Sequence, residues 1–384
     1  MNIGILKEIK FGESRIILTP AEVKALVLNN HQVLVEKDAG QLAGFDNEDY
    51  EKVGATIIKE VKDIYKKCEL VAKVKEIEPG EFDLLQEDQI IFTCLHPASD
   101  RDEVDILLKK NIIGFTAEDS HRYGSPNCEV AGKLGALMGI NQLQSHKHGN
   151  GKLVGGIGGA PGIKAMVIGA GIVGQAATDV LVSLGAQVSL LDINIQTLRE
   201  VNQLFNNKIQ TLYSHKYNID ELLPDIDLVM NCVKWPKTRE DYLISKEDLK
   251  MMKDKSVIVD VSADLDGAIE SFRPTTHEEP TYIEEGVVHY CVDNIPGAVP
   301  NTASKAYAAS IFNHILNIAN NGVRIACLKD GYLRRSMTTY KGILTHGETS
   351  IVQNRPYSTP EEVLEFKDEE IYEVVPPALN LDNL

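Results

Sequence analysis

The sequence predicts an α/β protein built from two doubly wound parallel-sheet domains with a cleft between them. Three observations carry that expectation. Short apolar runs alternate with helical stretches, the pattern of parallel strands joined by crossover helices. A glycine-rich turn at 169–174 lies between an apolar strand and an apolar helix. The length of 384 residues, with 43% hydrophobic residues, suffices for more than one buried core.

Taken in order, Met1–Leu6 reads as a strand. Thr19-Pro20 opens a helix, with Thr19 as N-cap, Pro20 at the first helical position and Glu22 in the first turn. Gln32–Glu36 is a strand, followed by turn residues Ala39, Gly40 and Gly44. Ala55–Ile58, Leu70–Val74, Gln89–Leu95 and Ile112–Thr116 read as further strands, separated by helical stretches such as Glu60–Lys67 and Glu103–Lys110. A polar loop, Asp119–Asn127, comes next. Glu129–Gln144 is apolar at helical spacing and is expected to cross between the domains. Gly149–Gly162 holds seven glycines and one proline, the composition of a flexible or ligand-approaching loop.

Ala165–Ile168 is an apolar run ending in Gly169-Ala170-Gly171-Ile172-Val173-Gly174, a full G-x-G-x-x-G. Ala176, Ala177, Val180, Leu181 and Leu184 follow at helical spacing, Gly185 stops the helix, and Val188–Leu191 is a second strand ending at Asp192. Gly169 permits the tight turn, Gly171 lets backbone approach a pyrophosphate, and Gly174 lets the helix pack close to the strand. The helix N-terminus offers unpaired N–H groups to phosphates, and Asp192 stands where an acid hydrogen-bonds a ribose 2′-OH. Strand, motif, helix, strand and acid together mark a Rossmann dinucleotide-binding domain. A carboxylate at 192, with no Lys or Arg at 193–195, favours NAD over NADP.

Strands at Ile209–Leu212, Asp227–Cys232, Ser256–Val261 and Val287–Val292 continue this domain. Cys232, Val261 and Val292 mark carboxyl ends, beyond which ligands sit in open α/β sheets. Thr302–Asn321 is helical, with Ala308, Ile311, Phe312, Ile315, Leu316 and Ala319 in one stripe and Gly322 at the C-cap. It is expected to return to the first domain. The predicted division is therefore a discontinuous substrate domain, 1–128 with 305–384, around a nucleotide domain, 129–304. The acidic stretch Phe366–Leu384 is expected to be an arm or disordered.

A net charge of −17 argues against a nucleic-acid or anionic-membrane partner. No run of 18 apolar residues predicts a membrane span, and the N-terminal segment lacks the pattern of a secretory signal. Cysteines 68, 94, 128, 232, 291 and 327 are scattered without a C-x-x-C, as expected of reduced thiols in a cytoplasmic protein rather than disulfides or a metal site.

Five places are candidates for chemistry. Arg15, after the first strand, is either a fork for a carboxylate or a surface arginine. Lys73 and Lys75 share one strand face; Lys75 is nearer the carboxyl end, and the alternative is a solvated face. His96 ends a strand directly before Pro97, which suits an acid–base group, a structural histidine being the other reading. Asp264 follows the strand ending at Val261 and could orient water or an amine, but spacing alone does not separate it from Asp260 or Asp266, and a turn role is equally open. Asn294, at another strand end, is either a partner for the nicotinamide amide or a turn residue.

The segments KEIK with SRIILTP, VAKVKE, FTCLHPA, EVAGKLGA, GAGIVGQ with LLDIN, and HYCVDNIPGAVP together resemble the alanine dehydrogenase and transhydrogenase α-subunit family, from Met1 to about Ile351. The resemblance implies a split substrate domain and often a hexamer. It implies that Arg15 and Lys75 bind a 2-oxo acid, that His96 is the acid–base residue, and that Asp264 handles the water or amine. By the same pattern Ser214 lies near the adenosine ribose and Asn294 near the nicotinamide. Three positions depart from the alanine dehydrogenase pattern: Asp264-Leu265-Asp266-Gly267, Cys128, and the loop Val233–Arg239 with the only tryptophan, Trp235. The Trp-x-x-x-Arg loop looks more like N5-(carboxyethyl)ornithine synthases, which join pyruvate to an amino acid's amine. The activities implied are thus alanine dehydrogenation first, an opine-type synthesis second, and a non-catalytic nucleotide-binding subunit third.

Overall fold

The computed structural model describes residues 1–236, 239–263, 265, 267–367 and 370–378. The chain forms two compact units, one of Met1–Pro126 with the chain from Gly297 onward, the other of Asn127–Pro296. The return to the first unit comes at Gly297 rather than 305, because the helical stretch that re-enters it already begins at Pro300.

The strands, in chain order, are β1 (Asn2–Ile5), β2 (Gln32–Glu36), β3 (Thr56–Ile58), β4 (Leu70–Ala72), β5 (Ile90–Thr93), β6 (Ile113–Thr116), β7 (Lys164–Ile168), β8 (Gln187–Asp192), β9 (Gln210–Tyr213), β10 (Leu228–Asn231), β11 (Val257–Asp260), β12 (Thr281–Glu284), β13 (Val287–Tyr290), β14 (Met337–Tyr340) and β15 (Ile343–Leu344).

In the first unit the sheet order is β15-β14-β6-β5-β4-β1-β2-β3. Strands β1 to β6 are parallel, and β14 and β15 add an antiparallel edge. The sheet is therefore mixed, not purely parallel as the sequence suggested. The order reverses direction between β1 and β4, which is a topological switch point. Alternate residues serve two cores. Ile3, Ile5, Leu70, Ala72, Phe92 and Phe115 pack on one side, and Val71, Ile91, Ile64 and Tyr65 on the other. Covered parallel strands read as near-continuous apolar runs for this reason.

The helical stretch Pro300–Lys329 places Tyr307, Ala308, Ile311, Ile315 and Ile318 in the first of these cores. Each such burial is worth roughly 1.5–3 kcal/mol, enough to fix which unit the helix joins. Gly322, at φ 75°, breaks the helix where a C-cap was expected, and a further helical segment follows to Lys329.

In the second unit the order is β12-β13-β11-β10-β7-β8-β9, with β12 antiparallel to β13 and the rest parallel. Its switch point falls between β7 and β10, directly where the glycine turn leaves β7. Ala165, Val167, Leu190, Met230 and Val259 fill one face, and Met166, Ile168, Leu191, Val229 and Ile258 the other.

The acidic C-terminal stretch is docked as far as it is described, not disordered. The Glu373 carboxylate pairs with both Arg122 Nη atoms and accepts from the Gly331 N–H at 3.1 Å, while its carbonyl accepts from Arg334. Arg334 is buried, so losing that acceptor leaves part of a guanidinium unsatisfied. Deleting residues 370–384 should cost about 1–3 kcal/mol and lower the thermal midpoint by several degrees, read by calorimetry. An unchanged midpoint would contradict the docking.

Candidate functional site

Ligands of open α/β sheets sit beyond the carboxyl ends of strands. In the first unit, Arg15, Lys75 and His96 all lie on loops leaving such ends, those of the neighbouring strands β1, β4 and β5.

Arg15 is 3% exposed, so it is not a surface arginine. Its Nε donates to Glu13 Oε1 at 2.8 Å, and its Nη2 pairs with Glu13 Oε2. Burial opposes the guanidinium's charge, and the Glu13 hydrogen bond and charge outweigh it, raising the pKa further. The loop is anchored by the Ile16 N–H donating to Ser304 Oγ at 2.9 Å.

Lys73 and Lys75 do not share a solvated face. β4 ends at Ala72, and the side carrying Lys73 is covered by Tyr65 and Glu81. Lys73 is 1% exposed and pairs with Glu81 at 2.7 Å, a structural buried ion pair. Lys75 is half-buried. Its N–H donates to Glu8 Oε1 at 3.2 Å, and its carbonyl accepts from Thr93 Oγ1 at 2.5 Å.

His96 occupies the left-handed region, at φ 46°. That conformation is strained for a residue before proline and costs on the order of 1–3 kcal/mol. Its N–H donates to Glu118 Oε1 at 2.9 Å. Its ring lies between two carboxylates, with Nδ1 3.3 Å from Glu118 Oε1 and Nε2 3.7 Å from Glu76 Oε1. Glu76 also meets Lys10 at 3.2 Å. Burial pushes the Glu76 carboxyl up, but Lys75, His96 and Lys10 outweigh it and hold it below the usual range. Cys94 is buried beside them: burial and the Glu118 charge push its thiol up, against Tyr307, Lys75 and Arg15, and its Sγ lies 3.0 Å from the Tyr307 hydroxyl. The first unit thus gathers two cations, an imidazole and two flanking carboxylates.

The sequence reading missed four carboxylates here. Glu118 follows β6 as His96 follows β5, so the strand-end rule could have found it. Glu76 adjoins Lys75, and Glu13 stands two residues before Arg15; their pairings appear only once the loops close. Glu8 stands three residues past β1, as His96 stands three past β5, but nothing local tied it to Lys75. Burial, helped by Glu13 and opposed by Lys73, raises the Glu8 carboxyl to about 7.

In the second unit, Gly169 sits at φ 99°, and a Cβ there would stand 2.8 Å from Val233 Cγ1 and 2.9 Å from the Cys232 carbonyl oxygen. A Cβ on Gly174 would lie 1.8 Å from Gly169 O, so the helix Ile172–Ser183 can approach β7 only with glycine. Gly171 begins that helix without a side-chain cap, and open space surrounds its missing Cβ. Asp192 Oδ2 accepts from the Ala170 N–H at 2.6 Å and Oδ1 from the Asn194 N–H at 2.8 Å. Ser214, just past β9, donates its N–H to Asp192 O at 2.9 Å. Uncapped helix, open Gly171 and carboxylate form a donor and acceptor set that fits a dinucleotide's phosphates and ribose. Asn294 lies in a turn at φ 63°, a conformation asparagine tolerates well. Asp264 and Asp266 lie outside the described residues, as do Lys237 and Thr238 of the tryptophan loop. Trp235 is buried, its Nε1 donating to Asp241 O at 3.0 Å, and Arg239 stacks on its ring at 4.1 Å while pairing with Asp241. Among the described residues no cluster could hold a metal ion, and no helix is long and apolar enough to cross a membrane.

Glu8 offers a pH test. Its folded pKa lies above the ordinary 4.5, so its contribution to stability is fully present below that value and is lost as pH rises through about 7. A protonated-carboxyl infrared band should therefore titrate near pH 7 and be missing in Glu8→Gln. A band titrating in the ordinary carboxylate range would contradict this.

Two doubly wound sheets, one carrying a glycine turn and ribose-type acid and the other an imidazole held between carboxylates, define a two-domain α/β oxidoreductase. Residues 4–125 match the family "Alanine dehydrogenase/PNT, N-terminal domain" and residues 135–347 match "Alanine dehydrogenase/PNT, C-terminal domain". The chain is 38% identical to an alanine dehydrogenase of Methanococcus maripaludis, over 95% of this chain and 100% of that protein. It is also 38% identical to an alanine dehydrogenase of Bacillus subtilis, over 90% and 93%. A solved L-alanine dehydrogenase superposes with a TM-score of 0.86 at 36% identity, covering 92% of this chain and 99% of that one. This chain belongs to the alanine dehydrogenase/PNT family.

Proposed function

We propose that this chain is an NAD-dependent alanine dehydrogenase, interconverting L-alanine, NAD and water with pyruvate, ammonia and NADH. One observation carries the reading: His96 stands with each ring nitrogen facing a carboxylate, at a strand end neighbouring those that carry Lys75 and Arg15. A non-catalytic nucleotide carrier has no need of such a group.

Arg15 is the cation for the substrate carboxylate, and its pairing with Glu13 holds the guanidinium plane in place. Lys75 polarises the substrate carbonyl through its ammonium. Glu118 orients the imidazole of His96 as a carboxylate does in other acid–base pairs, and His96 takes or returns the proton at the reacting carbon's oxygen or nitrogen. Asp264, assigned from its sequence position, is the carboxylate for the water or amine. The glycines 169, 171 and 174 and the helix after them hold the pyrophosphate, Asp192 and Ser214 the ribose side, and Asn294 the nicotinamide amide. The bound dinucleotide supplies the hydride acceptor. Asp192 supports NAD over NADP, since its charge repels a 2′-phosphate. The enzyme works as a cytoplasmic homo-oligomer, a hexamer by family resemblance.

The rival is an opine-type synthase, suggested by the tryptophan loop. In the structure Arg239 is stacked on Trp235 and held by Asp241, which supports an arginine engaged within its own segment rather than one offered to an amino-acid substrate. Purified protein should oxidise NADH with pyruvate and ammonia, and His96→Ala should lower kcat by about 10²–10⁴-fold. Turnover only when ornithine or lysine replaces ammonia would overturn the assignment, as would full activity in His96→Ala.

A further inference from the structure

The loops leaving β1 and β4 depart from the switch point of the first sheet, where the order of connections reverses. The ladder itself stops there: the Leu6 N–H still donates to Ala72 O at 3.1 Å, and beyond it the strands diverge. The backbone donors that follow need another acceptor. Glu8 provides it. Its Oε1 accepts from the Val74 N–H and, at 3.2 Å, from the Lys75 N–H. On the β5 side, the Cys94 N–H donates to Val74 O at 3.2 Å, and the Thr93 hydroxyl donates to Lys75 O. The backbone of Lys75 is thus gripped from both sides, by a carboxyl across the switch point and by a hydroxyl from β5.

The grip is costly. Glu8 is 8% exposed, and its second oxygen, Oε2, is buried with no hydrogen-bond partner among the described residues. Lys73, whose charge favours the ionised Glu8, gives its hydrogen bond to Glu81, and Glu13 adds a like charge nearby. A buried carboxyl with an unsatisfied oxygen destabilises a fold. Stability alone would be better served by a smaller neutral acceptor. One strand away, Glu36 Oε2 takes the Lys7 N–H at 2.8 Å in the same manner, which shows how the sheet supplies acceptors at its carboxyl ends without touching Lys75.

We propose that Glu8 is a positioning residue for the oxo-acid site, acting through the Lys75 backbone to aim its ammonium at the substrate carbonyl. The inference rests on the reading of Lys75 given above. What matters is an acceptor of this reach, so the isosteric amide should serve and a truncated side chain should not.

The test compares Glu8→Gln and Glu8→Ala in the full-length protein. In Glu8→Ala the KM for pyruvate should rise by at least about tenfold, the scale of a displaced substrate contact, while the Kd for NADH, measured by calorimetry without turnover, stays unchanged. Hydrogen–deuterium exchange should show the Val74 and Lys75 amides losing protection. Glu8→Gln should restore both the KM and the protection. An unchanged pyruvate KM in Glu8→Ala, an equal loss of NADH affinity, or a Glu8→Gln variant as impaired as Glu8→Ala would each overturn the inference alone. A parent protein that binds NADH but reduces no oxo acid would instead overturn the functional reading and this inference with it.

Discussion

The end of a parallel hydrogen-bond ladder is the constraint on which this molecule turns. Where β1 and β4 part, and again where β7 and β10 part, backbone donors lose their strand partners. Each unit meets that loss with its own device. In the second unit the Asp192 carboxylate takes the Ala170 N–H, and the donors after it are left at an uncapped helix start, shaped by glycines whose Cβ atoms would collide with backbone. In the first they are taken by the Glu8 carboxyl, and Glu118 does the same for the His96 N–H past β5. Both solutions concentrate polar groups at the carboxyl ends of the strands, which is where chemistry on such sheets resides.

Electrostatics in the first unit are arranged in opposed pairs. Arg15 is matched by Glu13, Lys73 by Glu81, and His96 by Glu76 and Glu118. A buried arginine or lysine without its partner would cost several kcal/mol, so these pairs are conditions for placing cations here rather than net sources of stability. The strained backbone at His96 fits the same logic. The Glu118 contact to its N–H holds a left-handed residue ahead of a proline, and the surrounding sheet supports the cost.

Legibility from sequence followed the range of the interactions. The glycine turn, its helix and Asp192 are encoded within one short stretch, so their geometry could be read directly, and the alternation of apolar runs revealed both sheets. The antiparallel edges β12, β14 and β15 escaped notice because short edge strands carry little periodic signal. Lys73 misled because alternation gives the face of a strand but not what covers it, and here Tyr65 and Glu81 do. The strand-end rule could flag Glu118, but the pairings of Glu8 with the Lys75 backbone and of Glu76 and Glu118 with His96 could not be read, since strand register alone brings those residues together. The return helix was legible from its apolar stripe, and its extra segment beyond Gly322 was not, because glycine at that position reads equally as a stop.

The central claim is that this chain moves hydride to and from the α-carbon of alanine. Its most direct measurement follows a label: incubation with pyruvate, ammonia and NADH deuterated at the nicotinamide C4, with products identified by mass spectrometry and NMR. The account predicts L-alanine carrying deuterium at Cα. Unlabelled alanine, or deuterium found only in an N-carboxyethyl amino acid once an amino acid is supplied, would contradict it.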